Sequence, residues 1–302
     1  MSKSIQSLDF LTQQFGHEKI VFIPVTETLV KARLHFAEQS CAEIHLQGAH
    51  LTQWQDTQGR ENLFTSPTAV YKEGGAIRGG NPIIFPQFGA GKLSQHGFAR
   101  SSLWRVIETN VTEQATVICL ELTEQDLKPH FTAQWQHTFV LRLTLTLAET
   151  LTTQLQIKNT DNQAFSFTFG FHTYLAIEAI TQTQITGLSL LNYMDNLAQQ
   201  QIFTELRNPV VIEEFTDRRY QGIPAEIVLT DHSSERKIVM QTQHCQDAFV
   251  WNPWQSGEKS FLDLAEGSYQ QFVCIEPGVM KKAVMLLPEN DFIAEQTLKR
   301  LD

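Results

Sequence analysis

Hydrophobic and polar residues alternate along much of this chain, and this period of two restricts the possible folds most strongly. The clearest run spans residues 141–147, where leucines alternate with Arg142, Thr144 and Thr146. Because successive side chains of a strand point to opposite faces, the run predicts a half-buried β-strand. Similar alternating or β-rich runs lie at residues 44–46, 117–122, 155–158, 227–229, 238–240 and 272–275.

Many short strands with few helices predict an all-β protein, either a sandwich or a barrel, with antiparallel strands. One short amphipathic helix is expected near the N-terminus, where Ile5, Leu8, Leu11 and Phe15 follow helical spacing. The 302 residues contain no linker-like stretch and no repeat of fixed period. Large β-sandwiches often exceed 200 residues, so we expect one domain covering residues 1–302.

The net charge and the spacing of the cysteines limit the binding partners and cellular compartments that we expect. A net charge of −10 argues against binding to nucleic acid or to an anionic membrane, although a few local cations suffice for a small phosphorylated ligand. The cysteines are too widely spaced for a disulfide framework or a zinc motif. Because we find neither a signal-peptide core nor a membrane-length apolar stretch, we expect a cytoplasmic protein.

The segment Phe165–Tyr174 carries phenylalanine at four alternate positions, from 165 to 171. If the pleat continues, these rings form a core face, and His172 lies on the opposite, polar face beside Gly170. A ligand could approach His172 on that face. An ordinary histidine in a sheet is the alternative interpretation of this segment taken alone.

Glu276 ends the apolar run Phe272–Ile275 and is followed directly by Pro277 and Gly278. The run predicts a strand that the Pro-Gly pair stops, which places the carboxylate at the strand end. Such a position desolvates a carboxylate and perturbs its pKa. A glutamate that caps a turn explains the pattern equally well.

Glycines surround Arg78 in the segment Gly74–Gly89, and Gln95–Arg100 follows closely with a second arginine. Glycine allows turns that keep a long cationic side chain accessible. The phosphate-binding order GxxxxGK[ST] is absent. Two arginines on such loops favour an anion site, although solvated arginines remain the alternative.

Together these segments resemble the glucose-6-phosphate 1-epimerase family, a branch of the aldose 1-epimerase (galactose mutarotase-like) superfamily. The resemblance runs from about Phe22 to Leu298. It rests on the order and spacing of Ala76–Gly80, Phe85–Gly89, His96–Arg100 with Trp104, His172–Tyr174, Thr216–Arg218, Val250–Trp254 and Phe272–Glu276.

The resemblance implies a large antiparallel β-sandwich that interconverts the anomers of a hexose 6-phosphate, glucose 6-phosphate above all. It implies that His172 is the general acid and Glu276 the general base. It further implies that the substrate is contacted by Arg78, Gln95, His96, Arg100 and Asp217, with the two arginines at the phosphate. Asn81 and Arg219 depart from the family pattern, which leaves the preferred substrate open.

Anomer exchange opens and recloses the sugar ring, so one oxygen loses a proton while another gains one. A carboxylate and a protonated imidazole meet both needs without a cofactor or a metal. We expect Glu276 to raise the pKa of His172, which predicts an ion pair of imidazolium and carboxylate. Metal motifs such as HExxH are absent, and His45 and His50 are expected on the surface.

Three alternatives stay open at this point. The protein could bind a sugar phosphate without turnover, act on unphosphorylated aldoses, or cleave carbohydrates with Glu276 and Asp217 as paired carboxylates. The segment Trp251–Trp254 is interpreted as core or turn packing and is left outside the site, with Asn252 and Asp247 bracing nearby loops. We expect a monomer.

Overall fold

The computed structural model describes residues 6–301. Within that range, α-helices are few and short: α1 (Leu8–Phe15), α2 (Pro129–Gln134) and α3 (Trp254–Glu258). The predicted N-terminal helix is confirmed over Leu8–Phe15, whereas Ile5 lies outside the described residues. No helix in this part of the chain has the length and apolar character needed to cross a bilayer.

Strands dominate the fold and form three antiparallel sheets, numbered here along the chain. The first sheet has four consecutive strands: β1 (Ile20–Pro24), β2 (Val30–His35), β3 (Cys41–His45) and β4 (His50–Gln55). The predicted run at residues 44–46 therefore extends one residue beyond the end of β3.

The second sheet has eight strands and carries the site described below. Its members are β5 (Ile83–Ile84), β10 (Phe165–Phe171), β11 (Thr173–Ala176), β13 (Asn192–Asp195), β14 (Gln201–Thr204), β16 (Thr216–Gln221), β19 (Asp247–Asn252) and β20 (Phe272–Leu286). The long strand β20 is central, because it pairs with β19 on one side and with β10 and β11 on the other.

The third sheet has nine strands. They are β6 (Arg105–Val111), β7 (Thr116–Thr123), β8 (Phe139–Leu147), β9 (Leu151–Asn159), β12 (Thr183–Thr186), β15 (Val210–Val211), β17 (Glu226–Asp231), β18 (Arg236–Gln243) and β21 (Asp291–Leu301). The leucine run at residues 141–147 lies in β8, and its leucines are buried as predicted.

The core lies between the second and third sheets. All four phenylalanines of β10 are buried, and Phe167 and Phe169 pack on Phe292 of β21 with ring centroids 5.7 and 5.5 Å apart. The same hydrophobic cluster includes Leu34 and Ile44 of the first sheet. The antiparallel sandwich is thus confirmed, and the shared core supports the proposal of one domain.

The Pro277–Gly278 pair does not end its strand, so that prediction was wrong. Strand β20 continues to Leu286. Pro277 lies where β20 passes from its pairing with β11 to its pairing with β10, so its missing N–H falls between two ladders. Gly278 allows β10 to approach, since a Cβ there would lie 2.1 Å from the carbonyl oxygen of Phe169.

The edge strand β6 of the third sheet is covered by the N-terminal segment. The side-chain amide of Gln6 donates to the carbonyl of Val106 at 2.8 Å and accepts from its N–H at 2.8 Å. At the other end of α1, the hydroxyl of Thr109 donates to the carbonyl of Phe15 at 3.0 Å. These bonds hold α1 along the edge of the sheet.

Candidate active site

A cleft of about 440 Å³ opens on the second sheet, on the face opposite the phenylalanine core. It is lined by all seven residues that the sequence predicts for the site: Arg78, Gln95, His96, Arg100, His172, Asp217 and Glu276. The structure therefore brings together residues that are separated by up to 198 positions in the chain, counted from Arg78 to Glu276.

Regular strand register builds one side of the cleft, which we call the floor. Directly paired residues of antiparallel strands share a face. Phe249 of β19 pairs with Glu276 of β20, while Trp251 pairs with Cys274 of the same strand. The floor consists of Phe249, Glu276 and Trp251 together with His172 and Tyr174; Cys274, which pairs with Tyr174 of β11, is fully buried and does not line the cleft.

His172 lies in the one-residue gap between β10 and β11. Its backbone N–H donates to the carbonyl of Pro82 at 3.1 Å, and its ring stacks on Tyr174 with centroids 4.9 Å apart and planes 4° from parallel. Its Nδ1 lies 3.3 Å from Oε1 of Glu276, without the angles of a hydrogen bond. The two groups are thus fixed side by side.

Burial controls the protonation of this pair. Desolvation lowers the pKa of His172 well below its usual 6.5, and the nearby His96 and Arg100 lower it further. Desolvation also raises the pKa of Glu276 well above its usual 4.5, assisted by the negative charge of Asp217. The expected rise in the pKa of His172 is therefore wrong, because desolvation outweighs the attraction between the two charges.

The neutral pair and the expected ion pair hold the same number of protons. A neutral imidazole beside a protonated carboxyl differs from an imidazolium beside a carboxylate only in the position of one proton. Transfer of that proton between Nδ1 and Oε1, which lie 3.3 Å apart and would first have to align as a hydrogen bond, converts one form into the other.

Loops build the opposite side of the cleft, residues 76–100, which we call the rim. Arg78 donates from Nε to Oδ1 of Asp263 at 3.0 Å and from Nη1 to the hydroxyl of Tyr174 at 3.2 Å. Its guanidinium also lies 4.9 Å from the centroid of the Phe261 ring. Gly80 lets this loop pass β4, since a Cβ there would lie 2.2 Å from the carbonyl oxygen of Leu51.

Arg100, the second cation of the rim, has no carboxylate partner within ion-pair distance among residues 6–301. Arg100 donates from Nη2 to the carbonyl of Gln95 at 3.1 Å. Burial lowers the pKa of Arg100 from its usual value, although a guanidinium still keeps its charge. Burial, with help from Arg100 and Arg78, lowers the pKa of His96 to about 3, so His96 is neutral.

Asp217 faces the cleft from β16. Its Oδ1 accepts a hydrogen bond from the side-chain amide of Asn196 at 2.9 Å, and it pairs directly with Trp251 of the floor. Burial raises the pKa of Asp217, and Asp195 raises it further. Asp217 is therefore placed to form a hydrogen bond with a ligand in the cleft.

The sequence interpretation missed several aromatic residues of the cleft. Phe88, Tyr174, Phe249, Trp251 and Phe261 all line it. Excluding Trp251 was therefore wrong: its pairing with Cys274 turns it towards the cleft. The alternation of strand β19 contained that signal, since Trp251 and Phe249 are two positions apart.

Other predictions concerned residues around the site. The amide of Asn252 donates to the carbonyls of Tyr269 and Phe272 and so braces the turn before β20, as predicted. Asp247 accepts from the N–H of Met280 and of Lys281, which lie within strand β20, so it braces a strand and not the predicted loop. His45 and His50 are buried, which contradicts the predicted surface positions.

The reason for burying His50 is structural. Its Nε2 lies 2.7 Å from the carbonyl oxygen of Gly79, so the ring fastens the loop that carries Arg78.

One cluster beside the cleft has the donor atoms that a metal ion requires. Ligand atoms of His172, Cys274 and Glu276 lie within 4.8 Å of one another.

Comparison with known proteins agrees with this architecture. Residues 31–299 match the model of the family described as aldose 1-epimerase. A protein of Cenchrus ciliaris, provisionally named glucose-6-phosphate 1-epimerase, is 36% identical over 276 residues, covering 87% of this chain and 82% of its own length. A protein of Escherichia coli K12 with the same provisional name is 28% identical over 263 residues, covering 85% and 86%.

Solved structures show the same fold. The crystal structure of YeaD from Salmonella typhimurium, provisionally named a mutarotase, superposes with a TM-score of 0.87 at 24% identity, covering 95% of each chain. A galactose 1-epimerase from Lactobacillus acidophilus superposes with a TM-score of 0.72 at 13% identity, covering 93% of this chain and 98% of its own.

Proposed function

This chain belongs to the aldose 1-epimerase family, and we propose that it interconverts the α and β anomers of a hexose 6-phosphate, with glucose 6-phosphate as the substrate. The proposal rests on one observation, namely that two groups of residues line the same cleft. A buried acid/base pair lies on the floor, and two arginines lie on the rim. The provisional names of the relatives support the phosphorylated substrate.

The proposed reaction begins with one proton shared by the pair. Glu276 accepts the proton of the C1 hydroxyl while His172 donates a proton to the ring oxygen. The bond between C1 and the ring oxygen then breaks, and C1 becomes an aldehyde. Rotation about the C1–C2 bond presents the other face of the carbonyl. The reverse transfers close the ring as the other anomer, and each residue regains its first protonation state.

Ring opening in this direction requires the proton on His172. Burial works against that state, because it disfavours the charged form of each group. Nδ1 of His172 and Oε1 of Glu276 lie 3.3 Å apart, so a proton can pass between them once the two groups align as a hydrogen bond. The planar stack on Tyr174 holds the imidazole in place throughout.

Phosphate recognition is assigned to the rim. Guanidinium groups hold phosphate oxygens through paired, charge-assisted hydrogen bonds. Arg100 has no competing carboxylate within ion-pair distance in the described residues, whereas Arg78 must exchange Asp263 for the phosphate. Gln95, His96 and Asp217 are then available to the sugar hydroxyls. The stacked aromatic rings supply apolar surface for the ring face.

Exchange spectroscopy by NMR tests the proposal. Cross-peaks between the two C1 proton signals of glucose 6-phosphate should appear on addition of the protein, and those of glucose should be far weaker. Equal exchange for both sugars would favour a mutarotase of unphosphorylated aldoses. Binding without exchange would favour a sugar-phosphate-binding protein. In a separate sample with an aryl glycoside, release of the phenol would favour carbohydrate cleavage by the paired carboxylates Glu276 and Asp217.

The remaining expectations stay predictions. They are a cytoplasmic location, a monomeric state, and activity that requires no cofactor, metal, nucleic acid or membrane. The acid/base mechanism ends in its starting protonation state, which is why it calls for no further group.

A further inference from the structure

Beside the acid/base pair lies a side chain that the proposed reaction does not use. Cys274 precedes Glu276 by two residues on β20, so their side chains share one face of the strand. Cys274 is fully buried, and one ligand atom each of His172, Cys274 and Glu276 lies within 4.8 Å of the others. A nitrogen, a sulfur and an oxygen that could each bind a metal ion therefore lie close together.

The imidazole at this point has an unsatisfied nitrogen. Nδ1 of His172 is buried and has no hydrogen-bond partner among the described residues, and the residue as a whole is only 9% exposed. A buried polar atom without a partner is costly. Because Nδ1 lies on the side of the ring that faces Glu276, a cation between the three side chains would satisfy it.

We propose that His172, Cys274 and Glu276 form a zinc-binding site whose occupation switches the enzyme off. Zinc is bound in proteins by these three ligand types, at about 2.0–2.3 Å. A tetrahedral centre with such bonds separates its ligand atoms by roughly 3.3–3.6 Å, so shifts of about 1 Å close the site. Three protein ligands leave the fourth position to water. The sulfur ligand selects against magnesium and calcium, which prefer oxygen.

Metal binding and catalysis exclude each other at this site. When zinc binds, the thiol proton of Cys274 and the proton shared by His172 and Glu276 pass to the solvent as the metal–ligand bonds form. Burial raises the pKa of the free thiol, but coordination removes its proton directly. With the imidazole nitrogen and the carboxylate bound to the metal, neither group can exchange a proton with a sugar.

Binding of the metal alone tests the site, independently of any activity. Calorimetry with Zn²⁺ should give one site per chain, and Co²⁺ should produce a near-ultraviolet absorption band of cobalt bound to thiolate. Cys274→Ala should abolish the band and weaken Zn²⁺ binding at least about tenfold. The matched control is Cys245→Ala, which removes a more accessible thiol outside the cluster and should change neither signal.

Either of two results would overturn the site: no binding to the wild type, or a cobalt band that survives in Cys274→Ala. Circular dichroism and the melting temperature of each variant show that it is folded. A band lost in Cys245→Ala but kept in Cys274→Ala would place the metal elsewhere and also refute the proposal.

The inhibitory role rests on the proposed function and has its own test. Zn²⁺ should inhibit anomer exchange in competition with glucose 6-phosphate, and EDTA should restore the rate. EDTA alone should leave the activity unchanged. Cys274→Ala should keep its exchange activity and lose at least about tenfold in sensitivity to Zn²⁺. Zn²⁺ binding without inhibition of an active enzyme would refute the switch, whereas an inactive wild type that binds Zn²⁺ would refute the proposed function and leave the metal site intact.

Discussion

The floor and the rim of the cleft are built by different means. On the floor, strand register sets the positions of Glu276, Phe249 and Trp251, and neighbouring strands fix each one. On the rim, the backbone turns through left-handed conformations at Gly79, Gly80, His96 and Gly97. Its arginines reach the cleft from loops, held by hydrogen bonds of their side chains.

This difference separates two tasks. Proton transfer tolerates little displacement, because the reacting atoms must lie within hydrogen-bonding distance, and a sheet supplies that rigidity. Charge recognition acts over a longer range, so loops suffice for it. If the division holds, substitutions on the floor should affect every sugar, and substitutions on the rim should affect only phosphorylated sugars.

The largest effect is expected on the floor. His172→Ala or Glu276→Gln should lower the exchange rate roughly 10²–10⁴-fold for glucose 6-phosphate and for glucose alike, since general acid–base groups contribute about this much. NMR exchange rates of both sugars measure it. Phosphate affinity and melting temperature serve as controls and should change little. Near-normal exchange in either variant would remove that residue from the proposed mechanism.

A smaller and selective effect is expected on the rim. Arg78→Ala and Arg100→Ala should each lower kcat/KM for glucose 6-phosphate about 10- to 100-fold, because a hydrogen bond to a charged group contributes roughly 1.5–3 kcal/mol. The slow turnover of glucose should barely change. Steady-state kinetics of both sugars measure the ratio. An equal loss for both would mean that the arginines support the fold or the hexose ring.

A still smaller effect, of opposite sign, is expected for the partner of Arg78. Asp263→Asn should lower KM for glucose 6-phosphate about two- to fivefold, since a partly exposed ion pair contributes up to about 1 kcal/mol and no longer competes with the phosphate. The KM for glucose serves as the control. A higher KM for the phosphate ester would show that Asp263 positions Arg78 for binding.

The last prediction concerns the protonation of His172 on the floor. Because burial favours the neutral imidazole, the NMR signal of His172 should titrate with a midpoint below its usual 6.5. The His172→Ala variant assigns the signal. A midpoint above 6.5 would mean that attraction to an ionised Glu276 outweighs desolvation, which is the state expected from the sequence alone.

Much of this arrangement follows from local patterns in the sequence. The alternation in residues 141–147 and in Phe165–Phe171 reports directly on burial, because strand geometry fixes the side-chain period. The family motifs occur in order along the chain, and all seven site residues predicted from them line the cleft. Their chemical roles remain proposals.

Long-range contacts could not be predicted in this way. The ion pair between Arg78 and Asp263 joins residues 185 positions apart, and no local pattern near Asp263 predicts it. The stop expected at Pro277 was wrong because a proline's effect depends on which neighbour faces its missing N–H. The direction of the pKa shift of His172 was missed because burial is a property of the folded chain.

Gln6 has a consequence for the behaviour of this protein in a crowded solution. An edge strand presents free amides and carbonyls, and another chain can extend the sheet there and begin aggregation. The side-chain amide of Gln6 has the same donor and acceptor as a peptide group, and it occupies both positions at Val106. Gln6 thus occupies the backbone groups of Val106 that an added strand would need, and we expect this contact to disfavour extension of the sheet at that edge, far from the cleft.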